Sequence, residues 1–147
     1  MNAADFFTPE GRKQIEQAIA ESELYTSAEI RVHVETSFKG DVMDRASTVF
    51  ARLKMHRTKL RNAVLIFFAI ENRKFAILGD SGINRLVPEN FWNETKNAME
   101  GYFNNAEFAN GLAAGVKLVG EQLKKHFPYQ KGDINELSNE ISFDTSE

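Results

Sequence analysis

An α/β domain built on a small mixed sheet is the fold class this sequence predicts, and three observations predict it. Residues 27–38 alternate, with Ile30, Val32 and Val34 on one side and Glu29, Arg31, His33 and Glu35 on the other, as in a half-buried strand. Residues 62–70 are apolar without alternation, the pattern of a central strand covered on both faces. Runs of helical periodicity separate and follow these segments. One domain suffices for 147 residues. A chain of this size removes roughly two-thirds of its surface from water on folding, and its twelve Phe, with Leu, Ile and Val, supply the core.

Thr8-Pro9-Glu10 reads as an N-cap, a proline at the first helical position and an acid in the first turn. A helix is therefore expected to run to about Ser22, with Ile15, Ala18 and Ile19 inward. The first strand follows over about residues 28–36. Gly40-Asp41 breaks it, and Asp41 can cap a second helix that turns Val42, Val49, Phe50 and Leu53 to one face. The second strand covers about 62–70, and the short turn Glu71-Asn72-Arg73 leads to a third over about 74–79. Strands two and three then form an antiparallel hairpin, while the helical crossover makes strands one and two parallel. Pro88 opens a third helix that presents Phe91, Thr95, Met99, Tyr102 and Phe103, and Trp92 is assigned to the core. A fourth helix runs from about Ala106 to His126. There Gly111, Gly115 and Gly120 permit close packing, each at a cost of ~1 kcal/mol relative to Ala. Three strands and four main helices thus occupy residues 1–128. Residues 129–147 are expected to form an acidic, partly ordered tail, held to the body by Ile134, Leu137 and Phe143.

Composition excludes several classes of function. With no cysteine there is no disulfide framework, thiolate zinc site or Cys nucleophile, and a reducing compartment fits. Eighteen basic residues against twenty-one acidic ones give a net charge of −3, which offers no electrostatic footprint for nucleic acid. The N-terminus lacks the basic and apolar regions of a secretory signal, and the longest apolar run is far short of the ~20 residues that span a bilayer. The expectation is a cytoplasmic chain without a membrane span. No Walker-type or dinucleotide-type glycine loop occurs. Ser81 lacks both the strand–turn–helix elbow and a neighbouring base, so a serine hydrolase is not expected. His33, His56 and His126 lie on three different elements and read as surface or packing residues.

Two constellations carry chemistry. Because the third strand runs opposite to the first two, Leu78-Gly79-Asp80-Ser81-Gly82 comes to the edge where those strands begin, and Asp80 can meet Glu29, Arg61 and Asn62. A carboxylate, the Ser81 hydroxyl and approachable backbone carbonyls are the oxygen ligands a hard cation prefers. An ordinary capped turn has the same composition. In the tail, Asp133, Asn135, Glu136 and Ser138 form an oxygen-rich, nitrogen-poor cluster suited to calcium or magnesium rather than zinc or copper, without the residue order of an EF-hand. A solvated acidic tail reads the same way. The basic cluster from Arg52 to Arg61 suits a phosphate or an acidic partner, or simply the C-terminal end of a helix dipole.

Taken in order, Thr26-Ser-Ala-Glu-Ile-Arg-Val32, Arg61-Asn-Ala-Val-Leu-Ile66, Phe75-Ala-Ile-Leu-Gly-Asp-Ser-Gly-Ile83 and Phe108-Ala-Asn-Gly-Leu112 resemble the TPM-domain family, over roughly Thr8 to Phe127. That family includes thylakoid acid-phosphatase-like proteins linked to photosystem II repair; this chain resembles a stand-alone, soluble, bacterial-type member. The resemblance implies a three-layer α/β/α sandwich and divalent-cation binding, with acid phosphatase activity in some plant members, and it points to Asp80 and its neighbours. The expectation is a calcium-binding structural or regulatory module. Its metal residues are Asp80, Ser81 and Glu29, helped by Asp133, Asn135 and Glu136 of the tail. Two alternatives stay open. One is a metal-assisted phosphomonoesterase in which Arg61 neutralises charge, and the other is a protein-interaction domain without catalysis.

Overall fold

Burial of one apolar strand on both faces organises the molecule. In the computed structural model, which describes residues 2–132 and 134–143, strand β2 (Ala63–Ala69) is buried at every position. Its Val64, Ile66 and Phe68 point into one core and its Ala63, Leu65, Phe67 and Ala69 into another. Strand β1 (Glu29–Glu35) pairs with it in parallel, Glu29 opposite Ala63, and β3 (Lys74–Gly79) pairs antiparallel, Gly79 opposite Val64. A short fourth strand, β4 (Ser142–Phe143), lies parallel on the free edge of β1, which gives the order β3-β2-β1-β4.

Helix α1 (Pro9–Ser22) is capped by Thr8, whose hydroxyl accepts from Gly11 N–H at 3.0 Å. It packs with α4 (Asn93–Asn104) and α5 (Phe108–Leu123) over the Val64 face. Helix α2 (Val42–Arg52), capped by Asp41, covers the other face through Val49 and Phe50. Helices on both faces of one sheet make the three layers expected. A single-turn helix, α3 (Ser81–Asn84), follows β3.

Several boundaries differ from expectation for identifiable reasons. Pro88 opens turns rather than a helix: Phe91 N–H donates to Pro88 and Asn93 N–H to Asn90, which sets the Phe91 and Trp92 rings edge to face at 4.7 Å. Helix α4 begins only at Asn93. Ala106 has φ of 58°, a left-handed conformation that cannot belong to α5, so α5 starts at Phe108. It ends at Leu123, where a turn returns Phe127 to the core. Strand β1 is not half-buried: its polar side is covered as well as its apolar side. Ile134 does not anchor the tail, being 80% exposed; Ile141 is the buried residue instead, with Leu137 and Phe143 packed against the cores. Residues 144–147 and Asp133 lie outside the described residues.

Candidate functional site

The edge where β1 and β2 begin and β3 ends collects most of the residues singled out above. Glu29 N–H donates to Asn62 O at 3.1 Å and Asp80 N–H to Ala63 O at 2.9 Å, so the backbone places Glu29, Asn62 and Asp80 on three adjacent strands. What their side chains do there differs.

Asp80 is only 6% exposed and carries three charge-assisted or capping bonds. Arg61 grips it with both ends of its guanidinium, Nε to Oδ2 at 2.7 Å and one terminal nitrogen to Oδ1 at 2.8 Å. Ser81 N–H donates to Oδ1 at 2.7 Å, which makes Asp80 the N-cap of α3. Arg61 reaches it from a left-handed residue with φ of 52°. A bidentate arginine and an amide donor occupy both carboxylate oxygens, so the turn is not one in which the Asp80 charge stands uncompensated. Gly82 has a different job from that of exposing carbonyls to an ion. Its N–H donates to Arg61 O at 2.9 Å, and a Cβ there would lie 2.3 Å from Leu60 O. Ser81 itself is half-buried at the first position of α3.

Glu29 sits on the opposite side of Asn62 and is 7% exposed. Its Oε1 accepts the backbone N–H groups of Glu136 and Leu137, each at 3.1 Å. Burial pushes its carboxyl up to about 7, the two amide donors working against that shift and the nearby charges of Glu136 and Glu23 adding to it. Glu136 in turn accepts Lys59 N–H through Oε2 at 3.1 Å. Asn62 is 2% exposed, and its Nδ2 donates to Ser27 O at 3.1 Å. Its Oδ1 is buried with no donor among the described residues. A buried acceptor left unpaired is costly, about 1–3 kcal/mol, which makes it a feature to be explained.

Glu29, Asn62 and Glu136 border one cleft of about 370 Å³, with Ser27, Leu60 and Ile134 completing its apolar and backbone walls. Asn135 is exposed, bonds to Asn139 and lies on a neighbouring hollow that also touches Glu29. The structure therefore brings Glu29 and Glu136 together around Asn62, seats Asp80 on the same sheet edge in a separate ion pair with Arg61, with Ser81 beside it, and leaves Asn135 at the margin. Asp133 is outside the described residues. Among the described residues no group of three or more His, Asp or Glu side chains is placed to hold a metal ion, so any cation site draws on amide and backbone oxygens as well.

The polar side of β1 holds a second set of buried polar residues, Glu35 and His33, the latter expected from the sequence to be a surface or packing residue. Glu35, 2% exposed, accepts a bidentate contact from Arg45 of α2, whose Nε lies 2.9 Å from Oε2. His33 Nδ1 lies 2.9 Å from Ser142 Oγ and its Nε2 3.5 Å from Glu35. The spacing of two along a strand is the signal that places His33 beside Glu35; a search at helical spacing does not find it.

The chain matches the family model of the TPM domain over residues 1–122. It is 47% identical to the BA42 protein from the psychrophilic bacterium Bizionia argentinensis, with a TM-score of 0.91 over 95% of this chain and 97% of that one. Two further solution structures share the fold at 15% identity. One is the N-terminal domain of a P. gingivalis protein, with TM-score 0.70 over 86% of this chain and 83% of that one. The other is the N-terminal domain of cg2496 from Corynebacterium glutamicum, with TM-score 0.63 over 92% and 80%. Among curated proteins none matches this chain significantly. No helix of the described residues is long and apolar enough to cross a membrane.

Proposed function

The chain belongs to the TPM domain family, and from that premise we propose that it is a binding module for a hard divalent cation, calcium before magnesium, at the cleft bordered by Glu29, Asn62 and Glu136. One observation carries the reading. Asn62 Oδ1 is a buried acceptor without a donor among the described residues, beside two carboxylates whose charges repel each other. A proton donor would satisfy the amide oxygen alone, whereas a hard cation satisfies it and both carboxylates together, using the oxygen ligands such ions require. When bound, the ion would supply charge neutralisation between the sheet edge and the tail segment that carries Glu136.

Asp80 and Ser81 lie on the same sheet edge but do not border this cleft. With Arg61 holding both carboxylate oxygens, Asp80 joins as a ligand only where that pair opens. The test is thermal unfolding with calcium and with magnesium. Because a ligand bound only by the native state stabilises it by RT ln(1 + [L]/Kd), calcium at ~100 Kd adds ~2.7 kcal/mol to wild type. Glu29→Gln is expected to abolish that increment. If Asp80→Asn retains it, the ion lies on the Glu29 side; if Asp80→Asn also loses it, Asp80 is drawn in as a ligand. No calcium-dependent rise in the wild-type protein would overturn the reading.

A further inference from the structure

The end of the molecule that carries Glu29 also exposes large apolar side chains. Leu24, Leu60, Tyr129 and Ile134 are between 49% and 80% exposed. They are far apart in sequence, yet they border two adjoining hollows. Leu24, Tyr129 and Ile134 line one of about 240 Å³, Leu60 and Ile134 line the cation cleft, and Glu29 is common to both. Single exposed apolar side chains are ordinary, whereas a contiguous group rimmed by charge marks an interaction surface. We propose that this surface docks a protein segment in which a lysine or arginine is flanked by apolar residues.

Charge selects that occupant. Among the described residues lining the two hollows, Glu23, Glu29 and Glu136 are acidic and only Lys59 is basic. Glu29 is buried, but Glu23 is half-buried and Glu136 exposed, so two of these carboxylates are accessible to a partner. Burial raises the Glu23 carboxyl, and a hydrogen bond from Asn139 works against that shift. A basic side chain laid beside Glu23 would stabilise its charged form, and the aliphatic stem of such a residue suits the apolar wall of Leu24 and Ile134. An anionic lipid surface would meet these acids with the wrong sign. Two copies of this chain joined here about a two-fold axis would set acids against acids. The backbone beneath the surface is already fixed. Leu24 N–H donates to Glu21 O at 3.0 Å, Tyr129 N–H to Tyr25 O at 3.0 Å and Ser27 N–H to Phe127 O at 2.8 Å, so the turn that bears Leu24 and the segment that bears Tyr129 hold each other in place. Anchors presented on such a frame lose little freedom on docking.

Leu24, Tyr129 and Glu23 are not ligands of the proposed ion, so the test is run with a chelator present and its outcome is separate from the calcium-dependent melting shift. Random peptides displayed on phage are selected against the immobilised full-length protein. Enriched sequences are expected to combine a lysine or arginine with aliphatic or aromatic neighbours. One such peptide, titrated into methyl-labelled protein, is expected to shift the Leu24, Leu60 and Ile134 methyl signals in NMR spectra. Its affinity is expected to fall about tenfold or more in the double variant Leu24→Ser/Ile134→Ser, as when central anchors of an interface are removed. Glu23→Gln is expected to weaken binding and to flatten its dependence on salt. Both apolar positions are exposed, and the same spectra show whether the variant is folded. No enrichment over the bare support, enrichment of acidic sequences, or equal binding by the double variant would overturn the proposal. So would methyl shifts that follow protein concentration alone, which would make the occupant a second copy, or binding only to phosphatidylserine vesicles, which would make it a membrane.

Discussion

Glu29 shows how one carboxyl reports on the packing around it. Burial outweighs its two amide donors, and the folded state holds its proton up to about pH 7, above the unfolded value near 4.5. A group whose pKa is raised on folding contributes stability at low pH that is lost as pH climbs through the folded value. Wild type is therefore expected to lose stability, relative to a Glu29→Gln variant, as pH rises from about 4.5 to about 7. Glutamine keeps an acceptor for the tail amides and removes the titration. Urea unfolding of both proteins across that window checks this, and curves that stay parallel would contradict it. The Arg61–Asp80 pair makes a second residue-level case. Arg61→Ala leaves a buried carboxylate with only the Ser81 amide, and a lower urea midpoint is expected, the loss being softened because Arg61 is itself 46% exposed and screened by solvent. An unchanged urea midpoint would mean that water replaces the guanidinium at no cost.

At the scale of elements, close approach rather than chemistry explains most of the glycines that the sequence made conspicuous. Gly82 lets α3 press against the Leu60–Arg61 carbonyls. Gly82→Ala would force a Cβ to within 2.3 Å of Leu60 O, and the resulting backbone shift is expected to cost about 1–3 kcal/mol in unfolding experiments. On α5, Gly111 meets the Phe103 ring and Gly115 the Met99 sulfur, each 2.5 Å from where a Cβ would sit, so α4 and α5 interlock as expected from the sequence. Strand β1 is the element whose two faces were least legible. Its apolar side matches expectation in full, with Ile30, Val32 and Val34 in the core. Its polar side reads as solvent-facing, yet Glu29, His33 and Glu35 are buried because each finds a partner elsewhere in the chain.

For the molecule as a whole, the tail closes the sheet. Strand β4 pairs with β1, Ile141 enters the core, and Ile141 N–H donates to Glu16 Oε2 at 3.1 Å. Ending the chain after Gly132 would strip the edge of β1 and leave Glu29 without its amide donors. The truncated protein is expected to be less stable by ~2 kcal/mol or more, since burying one Ile alone is worth about 1.5–3 kcal/mol. Faster hydrogen exchange at His33 and Val34 should accompany the loss, together with a greater tendency to associate through the unpaired edge. Exchange rates identical to those of the full chain would mean that residues 134–143 only rest on the sheet.

Local chemistry, read along the chain, determined the sheet's central strand, the hairpin, the caps at Thr8 and Asp41, the glycine-rich face of α5, and the meeting of Glu29, Asn62 and Asp80 at one edge. These follow from periodicity, turn residues and chain direction, all short-range properties. Only the tertiary structure decided which charges at that edge are spent. Asp80 is taken by Arg61, nineteen residues away, whereas Glu29 is roofed by tail amides 107 and 108 residues away. A period of two shows which side chains share a face of a strand but not what covers that face. The covering partners, Arg45 over Glu35 and Ser142 over His33, lie ten and 109 residues away. Burial of a polar row is a property of those distant contacts, and the same alternating sequence would describe a solvent-exposed face had the tail folded elsewhere.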